Sequence, residues 1–237
     1  MIETITFAGK EISLYYSFWL LSLVIALIAA NALRKDYGFS FSRSVIYIVF
    51  QILIGYPLIW LLSWVFGGGK MIGFNFVRLV NFIPLYFILI ATLFREKLWK
   101  LADFSAPIGA LIPGVSHLGC IFSGCCHGFP SNIGIYSNVA KTICFPIQPI
   151  ESITNIIIGI VLFVMAKRKI QQGRLYSWFM VLFGGTRFVF EFFRDNQKII
   201  WGISDLAFHA LASFLIGLIA LILMKCFCKK EIINEKI

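Results

Sequence analysis

Residues 14–33 of the chain read LYYSFWLLSLVIALIAANAL, and Arg34 and Lys35 follow them directly. The stretch carries no charged side chain. A helix needs about 20 apolar residues to cross the hydrocarbon core of a bilayer. A basic pair behind such a run is typical of a segment that stays in the membrane, so we expect no cleavable signal peptide here. The stretch therefore predicts a membrane-spanning helix.

Similar stretches recur along the rest of the chain. The apolar segments lie at about 13–33, 44–66, 73–94, 103–124, 148–166, 174–193 and 204–224. The composition agrees, because only 14% of the residues are charged and the mean hydropathy is +0.88, whereas a soluble domain is about 25% charged. We predict an all-α polytopic membrane protein with about seven transmembrane helices, in a single integral membrane domain over residues 1–237. The fourth segment, rich in glycine and proline, is expected to be broken or re-entrant.

Lys and Arg residues are distributed unevenly between the two ends of these segments. If the segments alternate in direction, one side receives fourteen basic residues and the other five, and two of the 21 lie inside segments. The larger set consists of Arg34, Lys35, Arg43, Arg95, Lys97, Lys100, Lys167, Arg168, Lys169, Arg174, Lys225, Lys229, Lys230 and Lys236, and the smaller of Lys10, Lys70, Lys141, Arg194 and Lys198. Cytoplasmic loops are enriched in basic residues, which predicts an N-terminus outside and a C-terminus in the cytoplasm. The net charge of +10 then reflects these loops, and no nucleic-acid partner is expected.

The sixth segment carries three charges at helical spacing. Arg187, Glu191 and Arg194 are four and then three residues apart, so they share one helical face. An ionisable residue inside a span costs about 2.5–3.5 kcal/mol on insertion scales and therefore suggests function. An arginine held by a carboxylate is suited to bind a phosphate group. The alternative is an internal ion pair that locks this helix to its neighbours.

The fifth segment has a polar stripe along one side of an apolar helix. Gln148, Glu151, Ser152 and Asn155 fall within an arc of about 100°. Hydrogen bonding between neighbouring helices explains Ser152 and Asn155 well but explains Glu151 poorly. Glu151 is thus a candidate functional carboxylate.

The fourth segment and the loop behind it concentrate thiols and imidazoles. The stretch contains Cys120, Cys125, Cys126, His117 and His127. Either histidine is a candidate general base, and the three cysteines are candidates for thiol chemistry. Thiolate and imidazole also bind soft metals, but adjacent Cys125 and Cys126 cannot easily share one tetrahedral centre, so no metal site is predicted. The alternative for the cysteines is that they are small buried apolar residues.

Two further polar features have simpler interpretations. Ser204 and Asp205 are expected to cap the last helix and to interact favourably with its dipole. Arg78 lies about one turn inside its segment and is expected to snorkel toward the interface.

Four stretches of the chain together resemble the bacterial prolipoprotein diacylglyceryl transferases. Asp103 and Pro107 precede a block over 117–130 that is similar to the family signature GRxGNFxNxExxGxP. Residues 145–151, FPIQPIE, resemble its HPxQxxE segment, and residues 184–194, GGTRFVFEFFR, resemble its GxxRFxxEFxR segment. The likeness covers most of the second half of the chain in the family's order.

The resemblance implies a bacterial inner-membrane transferase of lipoprotein biosynthesis. Such an enzyme transfers a diacylglyceryl group from phosphatidylglycerol to a cysteine thiol of a prolipoprotein, and the resemblance implies no cofactor. The expected partners are a phosphatidylglycerol-like phospholipid and a peptide or prolipoprotein acceptor. On this hypothesis we expect the catalytic residues to be His117, His127 and Glu151, with either histidine supplying proton transfer. The implied phospholipid head-group residues are Arg187, Glu191, Gln148, Tyr16, Gly128 and Arg194.

The chain also departs from the family pattern. The signature's arginine, asparagine and glutamate fall on His117, Cys120 and Cys125, and the family's HGG motif has no counterpart near Asn81. The arginine that follows a glycine late in the second span falls on Pro57. Two alternatives therefore stay open: a membrane thiol oxidoreductase that uses Cys120, Cys125 and Cys126, or a non-catalytic lipid- or peptide-binding protein with this fold.

Overall fold

The computed structural model describes residues 4–7, 10–70, 75–195 and 203–234, which form helices and two short hairpins. The helices are α1 (Leu14–Leu33), α2 (Phe41–Phe66), α3 (Phe76–Val80), α4 (Ile83–Phe94), α5 (Leu98–Ser123), α6 (Ile147–Lys167), α7 (Leu175–Glu191) and α8 (Asp205–Asn234). The antiparallel hairpins pair β1 (Thr4–Phe7) with β2 (Lys10–Ser13), and β3 (Pro130–Ser137) with β4 (Thr142–Cys144).

Among the described residues, five helices are long and apolar enough to cross a membrane. They are α1, α2, α5, α6 and α8 up to Cys226. Large apolar side chains on these helices are exposed, as expected for surfaces that face lipid. The structure therefore agrees with the prediction of a helical multi-pass membrane protein.

Two predicted segments take forms that hydropathy did not show. The third segment is divided at Asn81 into α3 and the 12-residue α4, and its first residues lie outside the described part of the chain. The Asn81 side chain donates a hydrogen bond to the backbone oxygen of His209 at 3.0 Å. The sixth segment becomes α7, which has 17 residues.

The fourth predicted segment is one unbroken helix, so the predicted break there is wrong. α5 contains Pro107 and Pro113 and still runs over 26 residues. It is the most enclosed of the five long helices, because 67% of the residues in its most apolar 18-residue stretch are buried. Neighbouring helices satisfy the backbone polar groups that proline frees in such a position. The Ser152 hydroxyl of α6 also donates to the carbonyl of Gly114, next to Pro113, and this contact joins the two helices.

Close helix contacts align the elements that carry the polar residues. α5 packs against α1 and α6, and α7 packs against α8. A Cβ at Gly184 would lie 2.7 Å from the Phe214 nitrogen, so this glycine lets α7 and α8 approach. The buried carboxylate of Asp103 accepts a hydrogen bond from the Leu175 N–H at 2.9 Å and thereby anchors the first turn of α7 to α5.

Candidate functional site

A cavity of about 370 Å³, here called the polar cavity, lies among α1, α3, α5, α6 and α7. Its charged, thiol and imidazole side chains come from three of the four stretches that carry the family resemblance, 117–130, 145–151 and 184–194. Its lining residues are Tyr15, Trp19, Asn75, Phe76, Val77, Ile112, Pro113, Ser116, His117, Cys120, Cys125, Cys126, Glu151, Phe183, Arg187 and Arg194. The fold thus gathers charged, thiol and imidazole side chains from separate segments into one chamber.

Glu151 is the centre of the charged part of the cavity. Its side chain is 1% exposed, and its Oε1 lies 3.1 Å from Nε of Arg187. Its other oxygen accepts a hydrogen bond from Nη2 of Arg194. One buried carboxylate therefore holds two guanidinium groups, and such charge-assisted contacts are stronger than neutral hydrogen bonds.

Glu191 holds the Arg187 guanidinium from a second carboxylate on α7. Its Oε2 lies 2.6 Å from Nη1 of Arg187, one helical turn away. Its Oε1 accepts a hydrogen bond from the Ser204 hydroxyl at 2.6 Å. The Ser204 oxygen in turn accepts from the Ala207 N–H at 3.1 Å, so the predicted capping of the last helix by Ser204 is confirmed. Arg187 is consequently fixed from both α6 and α7.

The His117 ring is held in a defined orientation beside these charges. Its Nδ1 lies 2.9 Å from the Pro113 carbonyl oxygen, which can only accept, so Nδ1 carries the proton. Nε2 lies 3.4 Å from Nη2 of Arg194 and 3.7 Å from Oε2 of Glu151. In the neutral ring this nitrogen presents its lone pair to the cavity.

Three cysteines surround the same imidazole. One ligand atom from each of His117, Cys120 and Cys126 lies within 4.8 Å of the others. Cys125 lines the cavity too, and its sulfur accepts a hydrogen bond from the Ser123 hydroxyl at 3.1 Å. Hydrogen bonds from the Cys120 and Cys125 thiols, together with the His117 ring and the charge of Arg194, hold the pKa of the Cys126 thiol well below its ordinary value.

The loop that carries Cys125 and Cys126 is fastened by backbone contacts. The Gln148 side chain, 3% exposed, donates to the Cys125 carbonyl at 3.0 Å. Gly128 forms a bridge with Arg194, and a Cβ there would lie 2.5 Å from the Phe145 oxygen. Gln148 and Gly128 therefore shape the site from outside the cavity lining, whereas the resemblance had implied that they bind the head group.

Two residues implied by the resemblance lie outside the cavity. The Tyr16 side chain is 65% exposed, and Tyr15 lines the cavity instead, because a step of one residue turns a helix by about 100°. The His127 ring lies 3.1 Å from the Gly128 oxygen and 3.9 Å from the Cys144 sulfur. Neither residue is among the described residues that line the polar cavity, and their assignment to the head group and to catalysis stays a prediction.

A second buried ion pair lies apart from the polar cavity. Arg78 is 4% exposed and donates to Oδ2 of Asp205 through Nε at 3.0 Å and Nη2 at 2.7 Å. The prediction that Arg78 snorkels to the interface is wrong, because an acceptor at the start of α8 holds it inside. The sequence shows both charges, but their 127-residue separation conceals the pairing.

A family model described as prolipoprotein diacylglyceryl transferase matches residues 79–226, more than half of the chain. This chain belongs to that family. The match includes His117, the three cavity cysteines, Glu151 and both cavity arginines.

Three curated relatives are similar to this family member, and each is named as a phosphatidylglycerol–prolipoprotein diacylglyceryl transferase. The protein from Clostridium tetani is 27% identical over 135 residues, which are 52% of this chain and 54% of the relative. The second such protein of Clostridium perfringens is 30% identical over 106 residues, 42% of this chain and 41% of the relative. The protein from Symbiobacterium thermophilum is 21% identical over 146 residues, 57% of this chain and 54% of the relative. The chain spans about half the length of the curated relatives it matches.

Proposed function

We propose that this protein transfers a diacylglyceryl group from a phosphatidylglycerol-like phospholipid to the cysteine thiol of a prolipoprotein or peptide. The acceptor sulfur forms a bond to the terminal glyceryl carbon, and the bond between that carbon and the phosphate oxygen breaks. Glycerol phosphate leaves, and the thiol proton is released. The observation that carries the proposal is a pair of buried arginines, Arg187 and Arg194, facing a cavity in a member of this family.

The arginines supply what the leaving phosphate needs. A phosphate gains negative charge as the carbon–oxygen bond breaks, and fixed donors in a site with little water stabilise that charge. Arg187 and Arg194 are held by Glu151, so their positions are set before the lipid binds. Glu151 and Glu191 act in this proposal as positioning residues.

A second, apolar cavity adjoins the first and offers apolar contacts for the part of an acyl chain nearest the head group. It has a volume of about 110 Å³ and lies among α1, α2, α4, α5 and α7. Trp19, Phe76 and Ile112 line both cavities, so the two are adjacent. A phospholipid whose phosphate meets the arginines can place the first carbons of an acyl chain against these apolar side chains.

We also propose that the chain crosses a bacterial inner membrane seven times, with its N-terminus outside. The excess of fourteen basic residues over five supports this orientation. Residues 76–94, which contain α3 and α4, would span about 28 Å at 1.5 Å per helical residue, close to the hydrocarbon thickness of about 30 Å. The 17-residue α7 would span about 26 Å. Reporter fusions after residues 70 and 168 test this, because the two sites must report opposite sides.

Transfer can be measured in proteoliposomes that contain phosphatidylglycerol and a peptide with one cysteine. The Arg187→Gln variant is expected to form no detectable thioether, because the leaving phosphate loses its main donor. The matched control is Arg168→Gln, which removes an exposed arginine from the α6–α7 turn and should leave transfer unchanged. Turnover by Arg187→Gln at the wild-type rate would overturn the proposal.

The two alternatives remain testable in the same preparation. A thiol oxidoreductase is favoured by the grouping of Cys120, Cys125 and Cys126 at one cavity, and it requires a change in free thiols between reduced and oxidised protein. A non-catalytic binding protein predicts copurified phospholipid, identified by mass spectrometry, without any lipidated peptide.

A further inference from the structure

We propose that His117, Cys120 and Cys126 form a three-ligand site for a thiophilic divalent cation such as Zn²⁺, whose open fourth position binds the acceptor thiol. The cation site stands on the geometry of this chain alone. The role of the fourth position rests on the proposed transfer of a diacylglyceryl group to a cysteine. Catalytic zinc sites commonly have three protein ligands and one open position.

The distances fit such a site after small side-chain movements. The three ligand atoms lie within 4.8 Å of one another. Zinc–sulfur bonds of about 2.3 Å and zinc–nitrogen bonds of about 2.0 Å place tetrahedral ligands about 3.5–3.8 Å apart. Closing the remaining gap takes about 1 Å, which rotation of a thiol-bearing side chain supplies. The adjacent pair Cys125 and Cys126, which argued against a metal in the sequence, is not the pair that the fold brings to the imidazole.

The His117 ring has the orientation that metal ligands have. A ligating histidine usually donates its second N–H to a carbonyl or carboxylate, which fixes its tautomer. Here Nδ1 lies 2.9 Å from the Pro113 oxygen, and Nε2 faces the cavity, where a bound cation would replace its 3.4 Å contact with Nη2 of Arg194.

Cys126 reaches the imidazole through an unusual backbone conformation. After α5 ends, Gly124 adopts φ +70° and Cys126 adopts φ +57°. A residue other than glycine costs about 1–2 kcal/mol in this left-handed region, and such costs are concentrated at functional sites. The turn brings Cys126 back beside the helix residues His117 and Cys120.

The charges around the site allow a divalent cation. Arg187 and Arg194 are balanced by Glu151 and Glu191, which contact them directly. Two thiolates and one neutral imidazole balance a cation of charge two. The loaded site would therefore carry no net charge, and an uncompensated buried charge is the arrangement that proteins avoid.

The open position would supply the reactive thiolate that the transfer needs. A thiol that coordinates zinc loses its proton, which passes to solvent. The bound sulfur then forms a bond to the glyceryl carbon while the carbon–oxygen bond to phosphate breaks. Glycerol phosphate leaves toward the cavity arginines, and the thioether product dissociates from the cation. The oxidation state of the cation does not change in this step.

Cobalt substitution tests the cation site independently of transfer. Purified protein in detergent, reduced and freed of metal, is titrated with Co²⁺. We expect one equivalent to produce thiolate-to-cobalt charge-transfer bands and tetrahedral ligand-field bands. His117→Ala, Cys120→Ser and Cys126→Ser should each weaken binding by more than the 10–100-fold effect of losing a second-shell partner. Cys226→Ser is the matched control, because Cys226 is exposed near the end of α8 and should leave binding unchanged.

Three outcomes overturn the cation site. The first is the absence of tetrahedral cobalt bands in the wild-type protein. The second is full cobalt affinity in both Cys120→Ser and Cys126→Ser. The third concerns alkylation of these thiols. If they resist alkylation, and a reductant exposes them but a chelator does not, a disulfide rather than a bound cation explains the protection. Tryptophan fluorescence melting checks that each variant is folded. Since Cys126 is exposed, Cys126→Ser provides a readout even if replacement of the buried Cys120 prevents folding.

Adding acceptor peptides to the cobalt-loaded protein tests the role of the open fourth coordination position. An acceptor peptide with cysteine should intensify the charge-transfer band, and the same peptide with serine should not. Zinc removal by a chelator should stop transfer, and added Zn²⁺ should restore it. A charge-transfer band that does not change when the cysteine peptide is added would overturn the role of the open position. If transfer itself fails while the spectrum responds to that peptide, the proposed function is overturned and the cation site with its thiol ligand stands.

Discussion

Arg78 and Arg187 are both buried inside predicted spans, and they differ in what lies beside them. Each is 4% exposed and each contacts a carboxylate, Asp205 at 2.7 Å for Arg78 and Glu191 at 2.6 Å for Arg187. Arg187 also lines the polar cavity, whereas Arg78 is not among the described residues that line it. We therefore expect Arg187, which a cavity reaches, to act in function, and Arg78 to act in stability.

The carboxylates that hold the two arginines differ in exposure and in the number of guanidinium groups that they hold. Asp205 is 26% exposed and joins α3 to α8 through one guanidinium. Glu151 is 1% exposed and holds two guanidiniums, Arg187 and Arg194. The first pair fastens two helices together. The second places excess donors at a chamber, where a phosphate can become their further partner.

The largest effect is expected from Glu151→Gln. The change leaves two buried guanidiniums without their shared carboxylate, and breaking a buried pair costs about 3–5 kcal/mol. We expect a corresponding fall in the free energy of unfolding, measured by tryptophan fluorescence in detergent, and loss of transfer. Glu11→Gln, at an exposed position in β2, is the control and should match the wild type. Unchanged stability in Glu151→Gln would show that Glu151 does not hold the arginines.

Arg187→Lys should separate chemistry from stability. Lysine keeps the charge but loses the planar fork of donors, and loss of one such donor lowers kcat by about 10²–10³. We expect this drop in the rate per folded molecule in the proteoliposome assay, with thermal unfolding of the same sample giving the folded fraction. Arg78→Lys is the matched substitution at the other buried arginine and should leave the transfer rate per folded molecule unchanged. Equal loss of transfer in both variants would remove the distinction between the two arginines.

Arg78→Met should affect stability alone. It leaves Asp205 without its guanidinium, and because that carboxylate is 26% exposed and water can reach it, we expect a loss of about 1 kcal/mol. The double variant Arg78→Met/Asp205→Leu should recover most of this loss, because apolar replacements of a buried ion pair are often neutral or stabilising. Thermal unfolding of the single and double variants measures both values. A double variant less stable than the single one would show that the pair does more than join α3 to α8.

The helical fold was predictable from the sequence because hydropathy and loop charge are read locally. The predicted segments agree with α1, α2, α6 and α8 to within a few residues at most boundaries. The break at Asn81 and the continuity of α5 were not predictable. The Asn81 side chain, just after α3, bonds to α8, and the prolines of α5 are tolerated because neighbouring helices enclose them. Both depend on contacts between distant segments.

The site was predictable as a set of residues but not as a geometry. The spacing of Arg187 and Glu191 along one helix predicted their contact. Helix rotation decides that Arg187 and Arg194 share Glu151 and that Tyr15 rather than Tyr16 lines the cavity. The turn after α5 decides that Cys126 lies beside His117. A sequence pattern does not contain those angles.

The smallest effect is expected from Gln148→Leu, which tests a contact one turn before Glu151 on α6. Gln148 binds the Cys125 carbonyl and no cavity arginine, so its loss should cost about 1 kcal/mol of unfolding free energy. The loop that carries Cys126 would then be less firmly held, and cobalt affinity should fall by about tenfold, as for second-shell partners of a metal. Thr154→Val is the control, because that exposed hydroxyl bonds only within α6. Reduced transfer with unchanged cobalt affinity would instead place Gln148 at the head group, on the arginine side of the cavity.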